Sequence, residues 1–300
     1  VWRAIIAARH LLPHYPDPEC WDLRQALASR WHVKPGQILV GNGSMELIYA
    51  LPRALKINHL LLVQPTFSEY AASMARAGGR VMTVHAERDE QYALPIERLC
   101  GLLQHPTTIE GIVLCNPNSP TGRACEAAEV MKLARAAQRG GVWLIVDETF
   151  TDYCPERSIL SLVSSWSRVV ILRSLTKFYG LPGLRVGYAV ATSTVIQKLR
   201  NELPPWSVNI MGQVAALAAL QDTTHAKRSL QFVEEERTRI SSALACLPGC
   251  TVFPAHANFI FVELPPGWPA RSMAERLRRE GFLIRDCSSV PGANPRSIRI

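Results

Sequence analysis

The chain has 300 residues, of which 48% are apolar and 19% are charged. This composition supplies a sizeable core and excludes global disorder, and the length suits either one large α/β domain with a smaller companion or two modest domains. The longest wholly apolar run, Val214 to Leu220, is too short to cross a bilayer, so no membrane contact is predicted. The net charge of +8 is spread along the chain, which favours small anionic ligands and predicts no nucleic-acid partner.

The eight cysteines are predicted to be free, partly buried thiols of a reducing compartment, because a chain this long and apolar does not need disulfides. No pair has the CxxC spacing of a zinc or redox site, and no stretch has the pattern of a secretory signal peptide. We therefore expect a cytoplasmic protein without a bound metal.

Short apolar runs alternate with amphipathic stretches from residue 38 to residue 202. Several runs are continuous, as in strands that are covered on both faces. The runs predict strands at residues 38–40, 60–63, 80–84, 111–115, 142–146, 169–172 and 186–190. The stretches between them predict helices at 45–55, 67–77, 126–139 and 195–202. This alternation predicts an α/β fold with a mostly parallel central sheet flanked by helices.

Pro204-Pro205 interrupts this alternation and marks a boundary. A long helix is predicted after it, over residues 210–247 with a break near Asp222. A strand (258–264), a helix (271–280) and two short strands (282–285 and 297–300) follow, which predicts a smaller C-terminal α/β unit. Residues 1–12 read as a helix already in progress and the final strand as cut short, so we expect an N-terminal arm and a C-terminal helix to be missing from this sequence.

A glycine-rich turn, Gly41-Asn-Gly-Ser44, joins a predicted strand to a predicted helix. Such a turn presents free backbone N–H groups to an anion at the positive end of the helix dipole. Glycine also serves such joints simply as a turn residue. This segment alone therefore leaves phosphate binding and a plain turn open, and it matches neither the dinucleotide-binding pattern nor the Walker A loop.

The segment Asn116-Pro-Asn-Ser-Pro-Thr-Gly122 follows an apolar strand. Two prolines within four residues fix a rigid loop. Open α/β sheets bind ligands at the carboxyl ends of their strands, where this loop lies. Taken alone, the segment is equally consistent with a plain turn.

An acidic pair, Asp147-Glu148, ends another buried strand. A carboxylate at this place costs free energy unless a cation meets it. It could ligate a metal, act as a general base, or pair with a protonated ring nitrogen. Because no cluster of His or Cys lies beside it in the sequence, metal binding is the weakest of these alternatives.

Lys177 lies in a loop rich in Ser, Thr and Gly that follows a strand, and Arg185 comes eight residues later. A lysine whose neighbours lower its pKa can form a Schiff base. A single lysine in a loop is more often a solvated surface charge, so the assignment depends on the surrounding motifs.

Together these four segments resemble the fold-type I pyridoxal-phosphate-dependent enzymes, the aspartate aminotransferase superfamily. The shared order is the glycine-rich turn, an aromatic residue after Pro65, the Asn-Pro…Pro-Thr-Gly loop, Asp147, and Ser174-x-x-Lys177 with its arginine. The resemblance covers essentially the whole chain. It implies the transferase fold of that superfamily, with a large cofactor-binding domain at residues 36–204 and a small domain formed by residues 1–35 and 205–300.

The resemblance also implies pyridoxal 5′-phosphate as cofactor and assigns roles position by position. Lys177 matches the lysine that forms a Schiff base with the cofactor, and Asp147 matches the carboxylate that pairs with its ring nitrogen. Phe67 matches the aromatic residue that stacks on the ring. The expected contacts of the phosphate and the phenolic oxygen fall on Gly43, Ser44, Met45, Asn118, Ser119, Ser174 and Arg185. Tyr15 matches a tyrosine that reaches the cofactor of a partner subunit, which implies a homodimer.

Within the superfamily, the chain resembles the L-threonine-O-3-phosphate decarboxylases of cobalamin synthesis, and histidinol-phosphate aminotransferases are near relatives. Arg285 and Arg299 match arginines that bind substrate anions, and Ser119 is also expected to contact the substrate. Phe150 replaces a tyrosine of aminotransferases, and Ser119 replaces their asparagine. The resemblance thus implies decarboxylation of threonine phosphate, a phosphorylated amino acid, to (R)-1-amino-2-propanol O-2-phosphate. Amino transfer to or from histidinol phosphate or a related amino acid is the alternative.

Overall fold

The computed structural model describes residues 1–104 and 108–300, and a seven-stranded sheet forms the centre of this part of the chain. Its strands are β1 (Ile38–Asn42), β2 (His59–Gln64), β3 (Arg80–His85), β4 (Gly111–Cys115), β5 (Trp143–Asp147), β6 (Val169–Ser174) and β7 (Val186–Val190). They lie in the order β1-β7-β6-β5-β4-β2-β3. The pairs from β3 to β6 are parallel, whereas β7 is antiparallel to both β1 and β6. The predicted mostly parallel sheet is therefore confirmed.

Helices cover both faces of this sheet. They are α2 (Trp21–Trp31), α3 (Gly43–Leu55), α4 (Glu69–Arg76), α5 (Ile96–Leu102), α6 (Ala127–Arg139), α7 (Ser193–Arg200) and α8 (Ile210–Gln221), whereas the first helix, α1 (Trp2–Ala7), has no buried residue and packs against α8. Leu144 and Val146 of β5 pack into one apolar cluster with α2, α5 and α6, and Ile145 between them packs into another with α3, α4 and α7. Successive strand residues point to opposite faces, and both faces are covered, so β5 is apolar without alternation.

A smaller antiparallel sheet contains β8 (Thr251–Val252), β9 (Phe261–Glu263), β10 (Arg285–Asp286) and β11 (Ser297–Arg299), in the order β10-β11-β9-β8. Helices α9 (Thr223–Ala245) and α10 (Ala270–Arg279) accompany it. Its own apolar cluster includes Ile260, Val262, Ala270 and Ile298. The predicted smaller C-terminal α/β unit is thus confirmed. The proposed domain boundaries, which place residues 36–204 in the large domain, stay a prediction.

The least accurate predictions lie in this smaller sheet. The predicted strand at 282–285 begins only at Arg285, because the backbone N–H of Phe282 donates to the carbonyl of Leu277 and closes α10. The predicted strand at 258–264 is reduced to Phe261–Glu263. Helices α2 and α5 and strand β8 were not predicted. Over the described ranges, no helix is both long and apolar enough to cross a membrane.

Candidate active site

A cavity of about 440 Å³ lies between the carboxyl ends of the central parallel strands and the smaller sheet. This volume falls in the range of small-molecule sites. The cavity brings together ten of the predicted site residues, namely Ser44, Met45, Phe67, Ser119, Asp147, Ser174, Lys177, Arg185, Arg285 and Arg299. They come from seven separate places in the chain, namely 44–45, 67, 119, 147, 174–185, 285 and 299, and the fold brings them together.

Three neighbouring strands end at the floor of this cavity. Cys115, Asp147 and Ser174 are the last residues of β4, β5 and β6, and all three line the cavity. Cys115 and Asp147 are also paired across the β4–β5 ladder. Parallel strands deliver their carboxyl ends to one edge of the sheet, which is where open α/β sheets bind ligands.

The N-terminus of α3 and the guanidinium of Arg185 form one wall. Gly43 has φ +76°, and a Cβ atom there would lie 2.5 Å from Nη2 of Arg185, so glycine is required for the guanidinium to cover this turn. Asn42 makes no side-chain cap, which leaves the first N–H groups of this 13-residue helix for a ligand. The wall is therefore built for an anion.

Gly187 of β7 allows this wall to form, although sequence reasoning gave it no role. A Cβ atom at Gly187 would lie 2.3 Å from the backbone nitrogen of Ser44 and 2.8 Å from the carbonyl carbon of Gly43. Close approach of β7 to the turn thus requires a residue without a side chain. A glycine inside an apolar strand was the available signal.

Lys177 extends into the cavity among other cations. Removal from solvent, together with the nearby guanidinium groups of Arg299 and Arg185, lowers the pKa of the Lys177 amine. A lower pKa leaves a larger share of the amine neutral, and the neutral amine is the form that attacks a carbonyl carbon. Lys177, Arg185, Arg285 and Arg299 supply four cationic side chains, and Asp147 is the one carboxylate among the described lining residues. The cavity is thus suited to ligands with more than one negative charge.

Asp147 is buried and held by two hydrogen bonds. The backbone N–H of Thr149 donates to Oδ1 at 2.9 Å, and the hydroxyl of Tyr70 donates to Oδ2 at 2.6 Å. Burial raises the pKa of the Asp147 carboxyl, while the bonds from Thr149 and Tyr70 oppose that shift. A carboxylate placed in this way can hold a proton on a basic ligand atom.

Arg285 and Arg299 lie side by side on two adjacent strands of the smaller sheet. Their Cα atoms are direct partners in the β10–β11 ladder, so both side chains leave the same face of the sheet and both line the cavity. Nη1 of Arg299 donates to Oγ of Ser119 at 2.9 Å. Burial and the charge of Arg285 lower the pKa of Arg299. Two like charges directly opposite each other are unfavourable until an anion lies between them.

Phe150 lines the cavity with a buried ring that offers no hydrogen-bonding group. The ring packs edge-on against Phe259, with centroids 4.9 Å apart, and the guanidinium of Arg299 lies 4.9 Å from the centroid of the Phe259 ring. Phe259 and Tyr70 were not predicted as site residues. Tyr70 lies three residues after Phe67 within the helix predicted at residues 67–77, and this spacing was its signal.

Asn118 and Tyr15 do not line the cavity. The Asn118 amide nitrogen donates to the carbonyl of Pro65 and to Oγ1 of Thr121, and its oxygen accepts from Oγ1 of Thr66. These three hydrogen bonds hold the loop together and use the whole Asn118 amide group. The position of Asn118 therefore does not support the predicted cofactor contact. Tyr15 is 81% exposed and packs on Trp206 with ring centroids 5.1 Å apart.

The described residues contain no group of three or more His, Cys, Asp or Glu side chains that could hold a metal ion. All eight cysteines are free thiols, as predicted. Burial and the charge of Asp147 raise the pKa of Cys115 to about 12, so this thiol stays protonated beside the cavity.

The family model for aminotransferase class I and II matches residues 1–300. Threonine-phosphate decarboxylase of Salmonella typhimurium is 32% identical over 302 residues, which cover 100% of this chain and 82% of that protein.

Two solved structures have the same fold. L-threonine-O-3-phosphate decarboxylase from Porphyromonas gingivalis has a TM-score of 0.87 at 26% identity and covers 99% of this chain and 88% of its own. Histidinol-phosphate aminotransferase from Sinorhizobium meliloti, in complex with pyridoxal-5′-phosphate, has a TM-score of 0.88 at 28% identity. The match covers 100% of this chain and 81% of that one.

Proposed function

The chain belongs to the class I and II aminotransferase family of pyridoxal 5′-phosphate-dependent enzymes, and we propose that it is the carboxy-lyase that decarboxylates L-threonine O-3-phosphate. The substrate loses carbon dioxide and gains a proton at its α-carbon. The product is (R)-1-amino-2-propanol O-2-phosphate, a building block of cobalamin.

The residues of the cavity fit pyridoxal phosphate. The first turn of α3 and Arg185 suit its phosphate, since free N–H groups and a guanidinium are the donors that bind phosphate most strongly. The hydroxyls of Ser174 and Thr176 are hydrogen-bonded to each other, with their oxygens 2.6 Å apart, and the hydroxyl that accepts in this bond keeps its own proton as one neutral donor. Asp147 forms no ion pair within the described residues, so a protonated ring nitrogen would supply the cation that this buried carboxylate lacks.

Bound pyridoxal phosphate supplies an electron sink when a bond to the substrate α-carbon breaks. Asp147 supports that chemistry because its carboxylate keeps a proton on the ring nitrogen. Phe67, half-buried at the cavity wall, provides an aromatic face for stacking. Lys177 provides the amine for covalent attachment. Its Nζ, whose pKa is lowered, can also deliver a proton to the α-carbon.

The paired arginines carry the assignment to a phosphorylated amino acid. Threonine phosphate bears a carboxylate and a phosphate, and Arg285 and Arg299 present two guanidinium groups from one face of the smaller sheet. A guanidinium that binds the phosphate anchors the substrate through a group that the reaction retains. The carboxylate is then free to leave, because substrate binding does not depend on it alone.

Phe150 favours decarboxylation over amino transfer. Its buried ring cannot donate a hydrogen bond to the phenolic oxygen of a cofactor, as a tyrosine at this position could. The cavity therefore lacks at this position a donor that the aminotransferase alternative would use.

The substrate assignment is tested with free threonine. Free threonine lacks the phosphate and would leave the arginines of the pocket unpaired. Because a binding site with unpaired polar groups discriminates strongly, we expect kcat/KM to be about 10⁴-fold lower for threonine than for threonine phosphate. The value of kcat/KM should be measured for threonine phosphate and threonine by release of carbon dioxide. Similar values for the two substrates would show that the arginine pair does not select phosphate.

Cofactor binding should depend on Arg185 more than on Ser174. Arg185→Ala removes a charged donor and is expected to weaken pyridoxal phosphate binding by about 1.5–3 kcal/mol, whereas Ser174→Ala removes a neutral donor and should cost about 0.5–1.5 kcal/mol. Titration of the apoprotein, followed by visible absorbance, measures both affinities. Arg239→Ala on the exposed surface of α9 is the control. Unchanged affinity in Arg185→Ala would place the phosphate elsewhere.

We also propose that the protein is a homodimer in which Tyr15 acts on the cofactor of the partner subunit. Tyr15 and Trp206 form an aromatic pair that leaves 81% and 49% of their surfaces exposed, and Trp2 and Leu12 nearby in sequence are 76% and 62% exposed. So much exposed aromatic and aliphatic surface on one segment fits a buried interface.

Mixing two inactive variants tests this arrangement. Tyr15→Ala impairs every site of its own dimer, and so does Lys177→Ala. A mixed dimer contains one site with both residues intact if Tyr15 acts across the interface. Refolded mixtures should therefore regain activity, and sedimentation velocity should give about twice the chain mass of 33.3 kDa. A monomer, or a mixture no more active than its components, would contradict the proposal.

A further inference from the structure

Tyr70 is a buried side chain that touches both Phe67 and Asp147, the two residues assigned to the cofactor ring. Only 2% of its surface is exposed, and its ring lies in the apolar cluster beneath α3 and α4 with Met74, Ile48 and Leu51. Tyr70 nevertheless lines the cavity. A side chain held this firmly places its polar end with little freedom.

The hydroxyl of Tyr70 meets Asp147. It donates to Oδ2 at 2.6 Å, the short distance typical of a hydroxyl bound to a carboxylate. The Thr149 N–H fixes the other oxygen, so the two donors together set the plane of the carboxylate. Asp147 is buried and has no ion pair among the described residues, so burial disfavours its ionised form. Each of the two donors stabilises that ionised form.

The ring of Tyr70 meets Phe67. The two ring centroids lie 5.6 Å apart at an interplanar angle of 83°, an edge-to-face contact. Phe67 precedes α4 and is only half-buried. Tyr70, in the first turn of that helix, packs against the Phe67 ring and restricts its position. One residue thus contacts both the face-stacking aromatic and the partner of the ring nitrogen.

We propose that Tyr70 is a positioning residue of the cofactor site, which orients the Asp147 carboxylate through its hydroxyl and supports Phe67 through its ring. This inference rests on the proposed cofactor site and adds a residue to it. The hydroxyl is expected to favour the ionised carboxylate, and thereby a protonated ring nitrogen. A residue that served only to fill the core would have no effect on the ring nitrogen.

Tyr70→Phe separates these roles, because it keeps the ring and removes the hydroxyl. With cofactor labelled with ¹⁵N at the ring nitrogen, the resonance of the variant at fixed pH should move toward the unprotonated position. The value of kcat should fall about tenfold, the loss of one hydrogen bond to a charged group, with little change in KM. Tyr92→Phe is the matched control: Tyr92 is also 2% exposed, but it packs on Phe253 and Phe261 away from the cavity.

An unchanged ¹⁵N resonance in Tyr70→Phe would overturn the inference while the cofactor site stands. A wild-type protein whose bound cofactor has an unprotonated nitrogen would instead overturn the role of Asp147 on which the inference rests. If Tyr70→Phe does not fold, site-specific 3-fluorotyrosine provides a second test, since it is a more acidic donor of nearly the same size. It should move the resonance in the opposite direction, and no movement would again overturn the inference.

Discussion

Lys177→Ala is expected to abolish release of carbon dioxide from threonine phosphate, with a loss of at least about 100-fold, because it removes both the attachment point of the cofactor and the proton carrier. The fold should remain, since the side chain extends into the cavity and contributes little to the core. In the wild type, borohydride reduction followed by peptide mass mapping should find the cofactor on Lys177.

Lys198→Ala is the control for this substitution, because Lys198 is exposed on α7 on the surface of the protein. It should keep full activity and the label on Lys177. Label on another lysine, or turnover that survives Lys177→Ala, would contradict the assignment of the site.

Arg299→Ala and Arg285→Ala should each raise the KM for threonine phosphate by about 10- to 100-fold, the loss of one charged hydrogen-bonding group of about 1.5–3 kcal/mol. Covalent attachment of the cofactor should survive in both. Arg299→Ala should have a second effect, because Arg299 lowers the pKa of Lys177. Without it that pKa rises, and attachment, which needs the neutral amine, should require a higher pH.

Arg278→Ala, exposed on α10 of the same C-terminal unit, is the matched control and should leave KM unchanged. Steady-state kinetics and a pH titration of the visible absorbance measure the two effects separately. If KM stays at the wild-type value in both cavity variants, the arginine pair does not bind substrate.

The parts of the site that sequence predicted well are those encoded within one segment. Asp147 follows a continuous apolar run and Lys177 follows another, and such runs are recognisable because both faces of the central sheet are covered. Once a chain has parallel strands, their carboxyl ends meet at one edge. Placing Asp147 and Ser174 near each other therefore required only the fold class.

The parts that sequence predicted poorly depend on contacts between distant segments. Asn118 is turned away from the cavity by Pro65 and Thr66, some 50 residues earlier in the chain. The direct pairing of Arg285 with Arg299 is a matter of strand register, and β10 begins three residues later than predicted because Phe282 closes α10. Tyr70 was missed because a buried tyrosine at helical spacing is usually part of the core.

The reaction itself is the most direct test of the central claim. The purified protein with pyridoxal phosphate should be incubated with carboxyl-labelled threonine phosphate in one vessel, and with histidinol phosphate and a 2-oxo acid in another. We predict labelled carbon dioxide and (R)-1-amino-2-propanol O-2-phosphate in the first vessel, and no amino acid formed from the 2-oxo acid in the second. Brisk amino transfer from histidinol phosphate, without release of carbon dioxide from threonine phosphate, would contradict the account and establish an aminotransferase.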